Sequence, residues 1–364
     1  MRDITIDVLP AGRGDCLWVE CARDGLPPWR MLIDGGLPNC YPTLRQRLKN
    51  LAAAGPVFID LVVVSHIDSD HIGGLLPLFA EDDIKIKFGD IWFNGLPQLP
   101  EAAAAPSRSV KEGEKLVDLL SGKADGRVLP WNEAFDRAAV MTRNDGAFET
   151  IAFPNGPTLT LLSPTPRRLM ALRKTWTAEV LKLQRGDPSD EEGPAVPLPL
   201  DDLPALAITD TPRDQSSANG SSIAFLLEYG GRRCLFGADA FSNVLGPALT
   251  SLAYSRDGKP IELDVFKLPH HGSKKNVTIP LLAVAPADHY VISTSGERFS
   301  HPDDVALARI VARDAPTPTL WFNYRNDAID RWNDQDFKKK NGFEARVPPD
   351  NDSAGARIEL AGKP

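Results

Sequence analysis

Apolar and polar residues alternate from Ile4 to Leu9, and the alternation returns from Cys16 to Cys21 and from Arg30 to Ile33. A period of two turns every second side chain toward one face, so these runs predict short strands packed on one side. Gly25-Leu26-Pro27-Pro28 supplies turn chemistry between the second and third. From Pro42 the period lengthens, and Leu44, Leu48 and Leu51 fall on one helical face behind a proline at the helix start. Val57 to Ser65 is almost wholly apolar and β-branched, as a strand buried on both faces should be. Later, Ser222–Glu228, Arg232–Phe236, Leu263–Leu268, His289–Ser293 and Thr319–Phe322 read as strands, Pro302 to Arg313 as a helix, and Ala354 to Leu360 as an edge strand. Strands that alternate with helices predict a layered α/β body.

Two stretches break the rhythm. Residues 97–150 are polar and helix-rich, with an alanine run at Ala102 to Ala105. Residues 186–218 carry six prolines and eight acids against the lone base Arg213, which predicts a mobile acidic loop with no core of its own. Residues 314–364 read as a C-terminal extension. The whole span 1–364 is expected to be one domain carrying these additions.

Composition narrows the function classes. At 42% hydrophobic and 25% charged the chain is globular, and no run of apolar residues is long enough to span a membrane. The start lacks the apolar stretch of a signal peptide, and Cys16, Cys21, Cys40 and Cys234 form no C-x-x-C pair. Free thiols and a cytoplasmic location are the expectation. With 41 Lys and Arg against 49 Asp and Glu the formal net charge is -8, so nucleic acid would have to be met by a local basic patch or by metal.

The chemistry gathers where strands end. Ser65-His66-Ile67-Asp68-Ser69-Asp70-His71 puts four ligand-type side chains directly after the buried run, where α/β folds place their ligand sites. Carboxylates crowded into one turn repel each other, and a divalent cation removes that cost. Lys267-Leu268-Pro269-His270-His271-Gly272 repeats the design, Gly237-Ala238-Asp239 ends another strand in a lone acid, and Ile33-Asp34-Gly35-Gly36 ends a fourth. No G-x-S-x-G elbow or P-loop competes as a source of nucleophile or phosphate cradle.

This set resembles the metallo-β-lactamase-fold hydrolases, whose signature is H-x-H-x-D-H, then a lone bridging Asp and a final His. With Gly12-Arg13-Gly14-Asp15, Asn219-Gly220-Ser221-Ser222 and Ser300-His301-Pro302 in the same order, it looks most like the hydrolase domain of the bacterial competence protein ComEC. The resemblance implies an αββα four-layer sandwich with a dinuclear site along one edge. It assigns His66 and Asp68 to a first metal position, Asp70 and His71 to a second, Asp239 to the bridge, and the His270-His271 pair to the last ligand. Asp34 and Asn219 would stand behind the ligands, Asp34 orienting an imidazole. Asp68 and Asn219 occupy places where the wider family has histidine, so the first position has exchanged nitrogen for oxygen. Oxygen favours harder ions, making Mn²⁺ or Mg²⁺ competitors to Zn²⁺, with one or two ions bound.

A divalent ion held this way lowers the pKa of bound water and supplies hydroxide near neutral pH. Asp70 and His301 are the expected catalytic groups, His301 as a proton donor or late ligand. Lys267, Lys274 and Lys275 flank the paired histidines, and Arg298 precedes His301, with Arg309, Arg313 and Arg325 beyond. Lys274, Lys275 and Arg298 are expected to grip phosphates either side of a scissile one. The resulting expectation is a metal-dependent phosphodiesterase, a nuclease above all, acting on nucleic acid or another phosphodiester away from membranes. No feature names a protein partner or activator. The alternatives are hydrolysis of a small ester, lactone or thioester, and a binding or regulatory module with a degenerate site.

Overall fold

The structure is a computed structural model that describes residues 2–100, 111–185, 197–297, 301–313, 317–351 and 354–363. Its strands are β1 (Ile4–Val8), β2 (Leu17–Arg23), β3 (Leu26–Ile33), β4 (Val57–Val63), β5 (Ile86–Trp92), β6 (Thr150–Ala152), β7 (Thr158–Ser163), β8 (Ala224–Tyr229), β9 (Arg232–Phe236), β10 (Leu263–Lys267), β11 (Ala287–Ile292), β12 (Thr319–Phe322), β13 (Glu344–Arg346) and β14 (Ala356–Leu360). One sheet runs β14-β1-β2-β3-β4-β5 and the other β13-β12-β11-β10-β9-β8-β7-β6. In each sheet an antiparallel half gives way to a parallel one, at β3–β4–β5 and from β9 to β13.

The alternation explains the layers. Ile4, Ile6 and Val8, Leu17 and Val19, and Met31 and Ile33 point inward and meet Leu159, Leu161, Phe225, Phe236, Val265 and Val291 of the opposite sheet. Each such side chain, fully removed from water, contributes about 1.5–3 kcal/mol before entropy is counted. The outer face of the first sheet is covered by the helix Tyr41–Ala52 and its neighbours. Helices Ser242–Arg256, Ile279–Val284 and Asp304–Val311 cover the second. The result is the expected αββα sandwich. No helix among the described residues is long and apolar enough to cross a membrane.

Several boundaries differ from the sequence pattern for physical reasons. Strand β3 already begins at Leu26, and Pro27 and Pro28 are tolerated because its ladder with β4 starts only at Met31. Strand β4 is not buried on both faces throughout: Phe58 is 45% exposed, and only the end nearest the site is fully covered. Among the described residues of 97–150, the α-helix Lys111–Leu120 and a 3-10 turn at Glu133–Phe135 stand among turns; the alanine run lies outside the described residues.

The acidic stretch requires a larger correction. Residues 186–196 lie outside the described residues, but 197–218 form two short helices, Leu203–Ala207 and Ser217–Gly220, and bury Leu203 and Ala207. The buried Arg309 guanidinium donates to the carbonyl oxygens of Ala207, Thr209, Lys274 and Val277, fixing a segment that has little apolar matter of its own. The C-terminal region is no appendage either. It supplies β12 and β13 to one sheet and pairs β14 with β1 in the other.

Candidate metal centre

Four strand ends meet at one edge of the sandwich. Strand β3 delivers Asp34, β4 delivers Ser65 and His66 and then the short helix Ser69–Ile72, β9 delivers Asp239, and β10 delivers His270 and His271. The chain turns sharply at these ends: Asp34, Ala238, His270 and His271 have φ of 58°, 43°, 51° and 53°. Left-handed non-glycine residues cost on the order of 1–3 kcal/mol and persist only where their surroundings over-determine them.

Asp239 stands at the centre. Its Oδ2 lies 3.8 Å from His66 Nε2, 3.5 Å from His71 Nε2, 3.9 Å from His270 Nε2 and 3.6 Å from His271 Nε2. Asp68 Oδ2 lies 3.5 Å from His66 Nε2, and Asp70 groups with His71 and His271. All seven sequence-assigned ligand residues are therefore brought to one place.

The opposite nitrogen of each ring is anchored. His71 Nδ1 donates to Asp34 Oδ2 at 2.8 Å. Ser65 Oγ donates to the same carboxylate at 2.6 Å and lies 3.0 Å from His66 Nδ1, so Asp34 orients both rings. His270 Nδ1 faces Asn276 Oδ1 at 3.1 Å and Asp214 Oδ2 at 3.3 Å, while His271 Nδ1 faces the Ser293 carbonyl at 2.9 Å and Asp15 Oδ1 at 3.4 Å. Acceptors behind every Nδ1 fix the proton there and aim every Nε2 at Asp239.

Burial opposes charge on these groups, yet their neighbours outweigh it. Asp239 and Asp34 hold His71 well above the usual imidazole range, and His271, His71 and His270 hold Asp239 well below the usual carboxylate range. His66 Nε2, His71 Nε2, His271 Nε2, Asp68 Oδ2 and Asp239 Oδ1 are buried without hydrogen-bond partners. Ligand atoms of one tetrahedral ion with bonds of about 2.1 Å sit roughly 3.4 Å apart, close to the separations around Asp239. These residues fit divalent metal, and the mixed nitrogen and oxygen set admits Zn²⁺ as well as Mn²⁺.

Other assigned residues fall around this cluster. Asn219 is fully buried and donates its amide to Asp214 Oδ2 at 2.9 Å. The His301 ring lies 5.2 Å from that of His270 on the wall of a cavity of about 460 Å³, and burial pushes its imidazole below the usual range against the pull of Asp303. Lys274 reaches that cavity but pairs with Asp303 at 3.3 Å, and Lys275 lines a separate cavity of about 810 Å³. Arg298 lies outside the described residues. Lys267 is no rim cation: it is buried and its Nζ pairs with Asp15 Oδ2. Arg309, Arg313 and Arg325 are engaged by backbone carbonyls, Tyr290 and Asp330 respectively. Asp15 and Asp214 were missed as site residues. Asp15 was visible only as part of a glycine turn, and Asp214 was hidden among seven other acids.

Glycine lets the turns approach. A Cβ on Gly14 would sit 1.7 Å from the Asp70 carbonyl oxygen, and one on Gly74 2.1 Å from that of Gly35. Gly14→Ala should therefore push Asp70 away, cost about 1–3 kcal/mol or more, and weaken metal binding together with stability. Thermal melting and metal titration of the variant check this, and unchanged values in both would refute the close-approach argument.

No curated protein matches the chain. Among solved structures it is similar to CmlA, a diiron beta-hydroxylase from Streptomyces venezuelae, at 13% identity and a TM-score of 0.42 over 99% of this chain and 54% of that one. A mutant of the CmlA beta-hydroxylase gives 13% identity and a TM-score of 0.41 over 98% and 54%. The chain thus spans about half the length of those structures. Residues 30–111, which carry Asp34 and the whole His66 to His71 motif, match the family model of the metallo-beta-lactamase superfamily.

Proposed function

We propose that the chain is a metal-dependent hydrolase whose substrate is a phosphodiester, nucleic acid being the first class to test. One observation carries the metal-dependent part: four anchored imidazoles converge on a buried carboxylate with their Nε2 atoms 3.5–3.9 Å from it. When bound there, one or two divalent ions supply an activated water and polarise the scissile group. Asp34, Ser65, Asp214 and Asp15 hold the imidazoles in register, and Asp70 and His71 would be among the residues that hold the ions. In this reading His301, on the cavity wall, moves a proton to the leaving group. The phosphodiester reading draws on the likeness of the motif set to the ComEC hydrolase domain. Arg13, with Nε 3.7 Å from Asp70 Oδ2, joins Lys274, Lys275 and Arg298 as a cation for phosphate.

A second reading is hydrolysis of a small ester, lactone or thioester. The cavity beside His301 favours it, because Glu297, Asp303, Asp304 and Asp327 line its wall with Pro197, Leu198 and Ala328. Such a wall repels a polyanion and accepts a small uncharged group.

The test is metal-loaded protein offered single- and double-stranded DNA, RNA and an aryl phosphodiester, beside a panel of esters, lactones and thioesters. Phosphodiester cleavage is expected, weakening steeply with salt. Asp70→Ala should lower it by more than about 100-fold, since loss of an outer hydrogen-bond partner alone costs roughly 10–100-fold. Ester cleavage without phosphodiester cleavage moves the assignment to the second reading, and hydrolysis of neither overturns both.

A further inference from the structure

We infer that the cavity of about 810 Å³ lined by Lys275 is a binding site separate from the metal centre, and that its ligand is an amphipathic anion with one carboxylate or phosphate head on an aliphatic body. Residues 207–213, helix Ser242–Arg256 and helix Ile279–Val284 form its walls, and its size is that of a pocket for a small organic ligand. No residue of the metal centre lines it. The body follows from the walls. Ile208, Pro212, Pro247, Ile279, Leu281 and Val284 supply apolar surface, and Ile208 and Ile279 are left 75% and 44% exposed. Covering that surface is favourable in proportion to the apolar area removed from water. No aromatic ring is among the described lining residues, so a flat base has nothing to stack on, and an aliphatic chain fits better. The helix keeps the space open: a Cβ on Gly246 would meet nothing within 4 Å, although glycine inside a helix costs stability.

The head follows from the charges. The chain carries a net -8, yet Arg213, Lys275 and Arg309 line this cavity against Asp210 alone. Arg309 is buried, and its five N–H groups all donate to neutral oxygens, the carbonyls of Ala207, Thr209, Lys274 and Val277 and the Thr211 hydroxyl. It forms no ion pair among the described residues. Burial pushes its guanidinium below the ordinary range, and Asp303 and Asp210 only draw it back in part. A positive charge solvated by dipoles alone attracts an anion into the space beside it. Arg309 has no donor left for that anion, but Arg213 does: it is exposed and forms no ion pair among the described residues. Arg213 therefore supplies the charged hydrogen bond to the head, and Arg309 supplies field.

The experiment reads binding, independent of turnover. Full-length metal-loaded protein is titrated calorimetrically with octanoate and octyl phosphate, beside octanol, octylammonium and inorganic phosphate. Each amphipathic anion should bind at least about tenfold tighter than any of the three controls, since a hydrogen bond to a charged group is worth that much. Chelator-treated protein, whose metal centre is empty, should bind both anions as tightly as the loaded form. Arg213→Gln should weaken both about tenfold. Gly246→Leu fills the space, and Ile279→Asp sets a like charge at its edge; each should weaken both anions by more than about tenfold. Circular dichroism identifies folded variants. Ile279→Asp puts an acid in the first turn of its helix, which favours folding, and serves if Gly246→Leu, directly before Pro247, unfolds. Binding that vanishes on chelation, or that persists at wild-type affinity in folded Ile279→Asp and Gly246→Leu, places the anion elsewhere and overturns the site. Octanol or octylammonium bound as tightly as the anions overturns the charged head, and inorganic phosphate bound as tightly overturns the aliphatic body. No binding of either amphipathic anion overturns the inference as a whole.

Discussion

Asp239→Ala should leave the protein unable to hold metal at either position, while Asp68→Ala keeps the Asp70 and His71 side loaded. The asymmetry follows from the geometry. Four Nε2 atoms lie 3.5–3.9 Å from Asp239 Oδ2, so this one carboxylate serves both sides, whereas Asp68 approaches only His66. Without Asp239 the four imidazoles face one another with no shared carboxylate between them, and an ion placed there keeps only Asp68 or Asp70 as an anionic ligand. The loss of affinity should go well beyond the roughly 10–100-fold that an outer hydrogen-bond partner is worth. Asp239→Asn keeps the shape and one oxygen but not the charge, and should fall between the two. Metal content of the purified variants, followed by calorimetric titration with Mn²⁺ and Zn²⁺, measures this. Complete loss in Asp68→Ala beside full retention in Asp239→Ala would reverse the assignment of the bridge.

The centre was legible from the sequence because each ligand follows an apolar run that could only be a strand. Residues after Ile33, Val63, Phe236 and Lys267 had to appear at strand ends, and parallel strands put those ends on one edge. The alternation at Ile4 to Val8 and Leu17 to Val19 likewise disclosed the inter-sheet core. What stayed hidden depends on contacts between residues far apart in the chain. Composition marks Asp214 as one acid in an acid-rich loop, yet its carboxylate is ordered by Ser216, Asn219 and Asn276 and aimed at His270. The helix Ser242–Arg256 escaped because Gly246 and Pro247 interrupt its pattern, although Leu245, Leu249 and Leu252 are buried. The surroundings of the lysines were hidden too: next to one metal motif, Lys267 is sealed inside the molecule and Lys274 is paired with Asp303.

That sealed lysine should carry the largest stability effect outside the centre itself. Lys267 ends β10 in one sheet and is 1% exposed, and its Nζ meets Asp15 on the turn that precedes β2 in the other. Burial alone would raise the Asp15 carboxyl; Lys267 and His271 outweigh it and hold that carboxyl far below the usual range. Lys267→Met fills similar space but abandons a buried anion, a loss of about 3–5 kcal/mol for one partner of such a pair. For a chain of this size that is a fall in melting temperature on the order of 5–15 °C. Asp15→Asn, which keeps the shape and leaves the ammonium without its counter-charge, should cost a similar amount. The double variant should be less damaged than the two losses added together, because replacing both charges removes the uncompensated one. Chelator-treated protein is the right sample, since Asp15 Oδ1 also lies 3.4 Å from His271 Nδ1 and bound metal would add its own stabilisation. Urea unfolding of the four proteins gives the coupling directly. Strictly additive losses would show that the two charges act independently, and that the turn at Asp15 is held to the second sheet by something other than this pair.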